Sequence, residues 1–203
     1  MDNYLQIIQQ NLDKLYACLP QGLEDCIQAT RDRDNFKLNA FGTTCVISPT
    51  GICFDLADTE ADLGSVHGIL VSMYALNANN TDLKLTPLKA FKEFPDSLPY
   101  AGAFTTHTEQ LLVPHVTKIK AAIPKIIQSL GGQASPPGTG GDFSFVVRPL
   151  PKIALCYIFH EPDEDFPAGV TCLYSGNARH FLPVDGLADV GEYTSKRILD
   201  CIL

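Results

Sequence analysis

The chain has 203 residues, 45% of them hydrophobic and 19% charged, which is enough apolar material for one buried core and predicts a single domain over residues 1–203. The net charge of -8 repels phosphate backbones and no basic stripe offsets it, so we expect no nucleic-acid partner. No stretch is long and apolar enough to span a bilayer and no secretory signal opens the sequence, so we expect no membrane partner and a cytoplasmic location.

The first predicted elements are helices. Apolar residues recur at helical spacing over residues 5–19, behind Asp2 as a cap, and Pro20 ends the helix. A shorter helix is predicted over residues 23–29. The charged segment RDRDN that follows is predicted to be a loop.

The segment TTCVISPTGICFDL predicts a β-hairpin that turns at Pro49-Thr50 and sets Ile47 opposite Ile52. Side chains alternate along a strand, so Cys45 lies on one face and Cys53 on the other. The residues expected to share the face of Cys45 are Ile47, Ile52, Phe54 and Leu56.

The seven cysteines are predicted to be reduced, structural thiols. None of them has the C-x2-C spacing that is common in zinc and redox sites, and five are flanked by apolar residues. Cys45 and Cys53 cannot face each other across the hairpin, which removes the nearest pair as a disulfide or metal site.

Residues 60–78 return to helical spacing with a wide apolar stripe that begins at Leu63, and His67 on this helix is predicted to be a packed or boundary residue. After a proline-rich loop, YAGAFT predicts a short strand. Residues 106–109 have the form of a capping box, which predicts a helix start at His107.

Prolines and glycines divide the region that follows. Pro114 is predicted to break the helix, Pro124 to kink it, and Gly131-Gly132 to end it. The segment GGQASPPGTGGD is predicted to be a mobile surface loop, because its glycines precede a strand where a phosphate loop would precede a helix.

The last part of the chain predicts an antiparallel meander and a closing helix over residues 184–203. Residues 153–159 are apolar on both faces, which indicates a central strand covered on both sides. The predicted strands are FSFVVRP, KIALCYIFH, AGVTCLY and ARHFLP.

The segment HEPDEDFP interrupts this apolar region with acidic and imidazole side chains, which are common metal ligands. We expect the turn after AGVTCLY to bring His180 close to them. A solvated connection between buried strands explains the same residues, and Pro167 and Gly169 depart from the calcium-loop pattern. The candidate ligand-binding residues are His160, Glu161, Asp163, Glu164, Asp165 and His180.

The segment PLPKIALCYIFHEPDEDFPAGVTCLYSGNARHFLPVDGLADVG contains the most specific pattern of the chain. An apolar strand leads to a corner at residues 163–168, a turn at residues 173–175 and a helix start at residues 182–186. In these features the sequence resembles the domain-of-unknown-function family 3786, with a signature region at about residues 143–200. Weaker similarity extends back to about Leu70.

The resemblance implies an α+β fold and an anaerobic bacterial or archaeal setting, and it names no reaction. His107, Met73 and Ser175 stand where the family commonly has Arg, His and Asp, so a polar site built from those positions is altered here. Some relatives carry a cysteine-rich module similar to an iron–sulfur domain of corrinoid proteins. The resemblance therefore suggests an iron–sulfur or corrinoid protein as a partner.

These patterns predict one α+β domain with a largely antiparallel sheet and helices packed on it; whether the hairpin and the meander share one sheet is left open. The first functional hypothesis is a non-catalytic module that binds a small ligand, metal or cofactor at the acidic segment, linked to anaerobic redox or one-carbon metabolism. The alternatives are a structural or interaction protein with a solvated acidic segment, and an enzyme in which His160 or His180 acts as general base beside a carboxylate. The ligand, the cofactor and association into a homo-oligomer are left open.

Overall fold

The computed structural model describes residues 3–55 and 61–202, and for residues 61–65 it describes the backbone alone. Predictions for Asp2, Leu56 and the side chain of Leu63 therefore lie outside the described residues. The α-helices are α1 Asn3–Ala17, α2 Leu23–Ile27, α3 Ala61–Leu76, α4 Leu98–Phe104, α5 Val116–Ser129 and α6 Val184–Asp200. The strands are β1 Thr30–Asp32, β2 Asn35–Ala40, β3 Thr43–Ser48, β4 Gly51–Phe54, β5 Lys89–Ala90, β6 Gln133–Ala134, β7 Phe143–Leu150, β8 Ile153–His160 and β9 Gly169–Tyr174.

The N-terminal sheet has the order β1-β2-β3-β4 and is antiparallel. The predicted hairpin is confirmed, with Ile47 paired to Ile52 and Cys45 paired to Phe54. The loop predicted for RDRDN is wrong, because β1 and β2 form a second hairpin there. Its signal was the alternation of β2, in which Phe36, Leu38 and Ala40 are buried and the residues between them are exposed.

The C-terminal sheet has the order β5-β9-β8-β7-β6, so β8 is central as predicted. Residues 153–159 are all buried. One face of the sheet packs on the main core, and the other is covered by a strap of irregular chain over residues 77–88 through Leu83, Leu85 and Leu88. This double cover explains why β8 is apolar on both faces.

The fourth meander strand predicted for ARHFLP is wrong. Residues 178–180 form a 3₁₀ turn, and β5 pairs with β9 in its place. The chain turns away because the Asn177 side chain is held by the strap: its Oδ1 accepts the Lys84 amide at 2.8 Å, and its Nδ2 donates to the Asp82 carbonyl at 2.8 Å.

The strand predicted for YAGAFT and the helix start predicted at residues 106–109 are also wrong. Residues 98–104 form α4, with a proline in the first turn where it costs no hydrogen bond, and a π-helix over Thr105–Gln110 continues it. The hydroxyl of Thr106 donates to the Gly102 carbonyl at 3.0 Å, as a residue inside a helix does. The predicted break at Pro114 is confirmed by a 3₁₀ turn over Val113–His115.

The two sheets are separate but dock on each other. The Phe41 amide, in the turn between β2 and β3, donates to the Pro149 carbonyl at 2.7 Å. The next residue, Gly42, has a φ of 78°, and a Cβ there would lie 2.3 Å from the Ser129 carbonyl oxygen. Helices packed on antiparallel sheets confirm the α+β class. In the ranges described, no helix has the length and apolarity to cross a membrane.

Candidate functional site

The acidic segment is an exposed turn whose side chains satisfy its own backbone. The Asp163 Oδ1 atom accepts the amides of Asp165 at 2.9 Å and Phe166 at 2.7 Å. The Glu161 carboxylate pairs with Lys120 of α5. Asp163, Glu164 and Asp165 are exposed, and the Phe166 side chain is 70% exposed. These carboxylates are directed to local contacts and solvent, as a solvated corner requires.

His160 and His180 lie at opposite ends of the sheet. His160 pairs with Gly169 at the first residue of β9, whereas His180 follows the last one. The five residue-to-residue steps from Gly169 to Tyr174 along β9 span about 17 Å. The predicted approach of His180 to the acidic segment is therefore wrong, because the chain turns away at Asn177.

Metal-ligating side chains are not grouped at the acidic segment. Within residues 3–55 and 66–202, whose side chains the structure describes, no cluster of three or more His, Cys, Asp or Glu side chains has the arrangement of a metal site. The seven cysteines are free, and Cys26, Cys45, Cys156 and Cys172 are buried.

A groove runs between the π-helix and the outer edge of β9. It consists of adjoining cavities of about 480 Å³ and 310 Å³, which share Thr105 and Glu109 and which we call the Glu109 groove. The larger cavity is also lined by Gln110, Val113, Pro114, Ala168, Gly169 and Val170. The smaller is also lined by Ala90, Phe91, Lys92, Ala101, Phe104 and Thr171. Glu109 therefore lies at the junction of the two cavities, the larger of which is mainly apolar.

The Glu109 carboxyl is half-buried, and its Oε1 atom accepts the Cys172 amide at 3.0 Å. Burial raises the pKa of Glu109 above its ordinary value, although the Cys172 amide, the Thr105 hydroxyl and Lys92 oppose the shift. A half-buried carboxyl with a raised pKa in a cleft is typical of a functional site.

The outer edge of β9 in the C-terminal sheet explains why the acidic residue Glu109 is tolerated beside it. The strand β5 pairs only with Leu173 and Tyr174, so that, in the described part of the chain, the outer edge of β9 has no strand partner from residue 172 backwards. The Glu109 carboxylate caps the amide of Cys172 at this edge. An acceptor that satisfies an open edge also blocks pairing with another chain.

A buried polar network fixes the π-helix against α6. The Ser195 hydroxyl donates to the Thr108 carbonyl at 2.8 Å and lies 3.0 Å from the Tyr157 hydroxyl. The Tyr174 hydroxyl donates to the Leu187 carbonyl at 2.6 Å. Buried polar groups with partners make a rigid support, and π-helical turns are frequent at functional sites.

Glu109 was missed as a site residue because its local sequence fits a capping box. The signal for its position was split between two distant segments, the helix that carries Glu109 and the strand that carries Cys172. The sequence does not indicate that β9 has an open edge at Cys172. The edge is open because β5 is only two residues long, and so short a strand has no periodic pattern that would predict it.

A larger cavity of about 640 Å³ lies between α1 and β4, lined mainly by uncharged side chains. Its acidic residue, Asp13, accepts a hydrogen bond from Gln9 on the exposed side of α1. The Glu109 groove is the stronger candidate, because it combines apolar walls with an oriented, half-buried charge.

These features define an α+β protein with a groove along an open sheet edge. The chain belongs to the family described as domain of unknown function (DUF3786), whose model matches residues 20–197. The match includes the N-terminal sheet, which lies outside the similarity recognised from the sequence. Comparisons with curated proteins and with solved structures gave no match.

Proposed function

We propose that this protein is a non-catalytic module that binds a small organic ligand in the Glu109 groove. The observation that carries the proposal is the half-buried Glu109 carboxyl, oriented by the Cys172 amide at the junction of two cavities. Small-molecule sites are mostly apolar clefts with a few oriented polar groups, and their volumes are about 300–1,000 Å³. The larger cavity, at about 480 Å³, lies in this range.

The chemistry of the groove favours binding over catalysis. Among the described residues that line it, there is one carboxyl group and no imidazole or thiol. Burial raises the pKa of the Cys172 thiol, which lies inside the core and stays protonated. Acid–base catalysis needs a positioned partner for the substrate proton, and a nucleophile needs an adjacent base. A single oriented carboxyl is sufficient for recognition.

The expected ligand site moves from the acidic segment to this neighbouring groove. The two are adjacent in the chain, since Ala168 and Gly169 follow the segment and line the larger cavity. We propose that the acidic residues solvate the turn, in line with the alternative derived from the sequence.

A fragment titration followed by amide NMR tests the proposal. Gln110 and Thr171 line the two cavities and are exposed, so Gln110→Trp and Thr171→Trp should fill the groove without unfolding the protein. We expect fragments to shift the amides of Thr105 and Cys172, and either tryptophan to reduce that shift.

The matched control is the double variant Asp163→Asn and Asp165→Asn, in which the new side-chain amide at the first position keeps an oxygen for the turn amides. It should bind fragments like the wild type. Binding that is lost in this variant, or fragments that leave the groove amides unmoved, would show that the groove is not the site.

The proposed setting is the one implied by the family resemblance: cytoplasmic, in anaerobic redox or one-carbon metabolism, with an iron–sulfur or corrinoid protein as partner. Affinity purification from a native extract without oxygen, followed by iron and corrinoid absorbance measurements, tests the partner. A co-purified fraction without either chromophore would count against this setting.

A further inference from the structure

We propose that the ligand of the Glu109 groove is a small organic cation, with an ammonium group at Glu109 and a short apolar body. This inference rests on the proposed function and specifies its ligand class. It is carried by the balance of hydrogen-bond acceptors, charge and apolar surface in the groove.

Around Glu109, the groove offers a ligand mainly hydrogen-bond acceptors. A carboxylate has about four acceptor positions, and the Cys172 amide occupies one of them on Glu109, where the Thr105 hydroxyl also acts on the carboxyl. The remaining positions are open to donors from a ligand. An ammonium group supplies three donors and no acceptor, which is the complement of this surface.

The open edge of β9 adds a further acceptor. Because backbone groups alternate in direction along a strand, the carbonyl of Val170 points to the same edge as the Cys172 amide. Val170 lines the larger cavity together with Glu109. The Val170 amide points to this edge as well, so a ligand that also carries an acceptor finds one donor there.

The Glu109 charge has no close counter-ion within the described residues. No lysine or arginine in those ranges lies within ion-pair distance of its carboxylate. Lys92 is exposed, lines the smaller cavity and acts on Glu109 from a distance. A half-buried carboxylate without a paired cation favours a ligand that supplies one. The net charge of -8 also favours the approach of cations over anions.

The walls determine the body of the ligand. Val113, Pro114 and Ala168 give the larger cavity an apolar lining beside the carboxylate. A short alkyl or aryl group fits such a lining, since burial of apolar surface contributes about 25 cal/mol per Å². A strongly hydrated inorganic cation would leave these walls without a partner.

A matched series of probes tests the ligand class. Benzylammonium, benzyl alcohol and benzoate share one body and differ in charge, and each is titrated at constant ionic strength while the Thr105 and Cys172 amides are followed by NMR. Removal of one charge-assisted contact changes affinity by about tenfold. We expect benzylammonium to bind about tenfold more tightly than the other two, and Glu109→Gln to abolish this preference.

The control variant is Glu164→Gln, which removes the same charge from an exposed position and should preserve the preference. Equal binding of the alcohol, or tighter binding of benzoate through Lys92, would overturn the cation inference and leave the groove as a ligand site. The cation inference would also be overturned, and the groove kept as a ligand site, if the groove amides responded to other fragments and to none of these three. Groove amides that respond to no fragment at all would overturn the proposed function as well.

Discussion

At the scale of single residues, Glu109 has two separable roles, as an edge cap and as a charge. The cap is the hydrogen bond from the Cys172 amide, which the side-chain oxygen of an isosteric glutamine at position 109 preserves. The charge is what burial opposes, as the raised pKa of Glu109 indicates. Function and stability therefore make different demands on this position.

The first prediction concerns Glu109→Gln, which keeps the cap and removes the charge. The folded protein holds the Glu109 proton more tightly than the unfolded chain, so wild-type stability should fall as pH rises from 4.5 through the raised pKa. In urea unfolding at pH 7 without ligand, we expect the variant to match the wild type or exceed it by up to about 1 kcal/mol.

The comparison variant is Glu109→Leu, which leaves the Cys172 amide without its acceptor and should cost about 1–3 kcal/mol. A similar loss in Glu109→Gln would indicate that the charge itself stabilises the fold. That result would contradict the separation of the two roles.

His67 is a buried histidine enclosed by aromatic rings, as the sequence predicted when it assigned a packed or boundary position. The side chain is 2% exposed and stacks on Phe41 at 4.2 Å, with Tyr193 edge-on at 5.3 Å. Its Nε2 atom has no hydrogen-bond partner among the described residues. Burial lowers the pKa of His67 to about 4, and the nearby Arg197 and Lys196 act in the same direction.

The second prediction is that His67 contributes to acid sensitivity. Between pH 6.5 and about 4 the unfolded chain binds a proton that the folded protein rejects, so stability falls as pH falls through this window. A shift of this size corresponds to about 3 kcal/mol. Urea unfolding measures the free energy of unfolding of both proteins at pH 7 and at pH 4. Between these two values it should fall by about 3 kcal/mol less in His67→Phe than in the wild type. Parallel pH profiles for the two proteins would refute this assignment.

At the scale of elements, α6 packs closely on α4 and on the π-helix beside the groove. Gly191 of α6 is the contact point: a Cβ there would lie 2.5 Å from Cε2 of Phe104 and 2.9 Å from Oγ1 of Thr108. The absence of a side chain at Gly191 thus lets the π-helix approach α6 and places Glu109 over β9.

The third prediction compares two glycine-to-alanine changes in helices. Gly191→Ala should lower the free energy of unfolding by about 1–3 kcal/mol through overpacking and weaken ligand binding by displacing the π-helix. At Gly102 in α4, a new Cβ meets no described atom within 4 Å. Gly102→Ala should therefore raise the free energy of unfolding by about 0.5–1 kcal/mol. Thermal unfolding of both variants checks the opposite signs, and a stabilised Gly191→Ala would mean that α6 is loosely packed.

The elements also show where the sequence was informative. Strong periodicity predicted α1, α5, α6 and the β3–β4 hairpin, since each buries one face against a single core. The errors fall where tertiary contacts decide local structure. YAGAFT is helical, and its Phe104 packs on Phe91 with stacked ring centroids 4.4 Å apart, a contact between two segments that no local pattern indicates.

The candidate site was the least predictable part for the same reason. The acidic segment attracted attention because its charges are consecutive, whereas the groove brings together Thr105, Glu109 and Val170 from segments about sixty residues apart. No local pattern reports the open edge of a strand. The open edge beside Glu109 depends on where β5 stops pairing with β9, and that pairing joins residues 83 and 85 positions apart in the chain.

At the scale of the whole molecule, the central question is whether the two sheets unfold as one unit. The turn between β2 and β3 docks on the C-terminal half through the Phe41 amide and through the close approach of Gly42 to Ser129. These contacts join parts of the chain that are 108 and 87 residues apart. A shared core that includes Phe36, Ile47 and Phe145 connects the sheets further, which favours a single cooperative transition.

The fourth prediction measures this docking with Gly42→Ala and a matched control, Gly138→Ala. The φ angles are 78° and 80°, so both variants incur a similar left-handed backbone penalty of about 1–2 kcal/mol. Only at Gly42 would the new Cβ also meet a backbone atom, the Ser129 carbonyl oxygen at 2.3 Å, whereas Gly138 has nothing within 4 Å. We therefore expect Gly42→Ala to be less stable than Gly138→Ala by about 1–3 kcal/mol.

Hydrogen exchange shows whether the stability lost in Gly42→Ala is shared by both sheets or confined to the N-terminal sheet. If the sheets form one cooperative unit, Gly42→Ala should reduce the protection of the slowest amides in β3 and in β8 by the same free energy, because both exchange through global unfolding. Reduced protection in β3 with unchanged protection in β8 would mean that the N-terminal sheet opens independently. In that case the groove, which is built from the C-terminal sheet, α4 and the π-helix, should bind its ligand in Gly42→Ala with wild-type affinity.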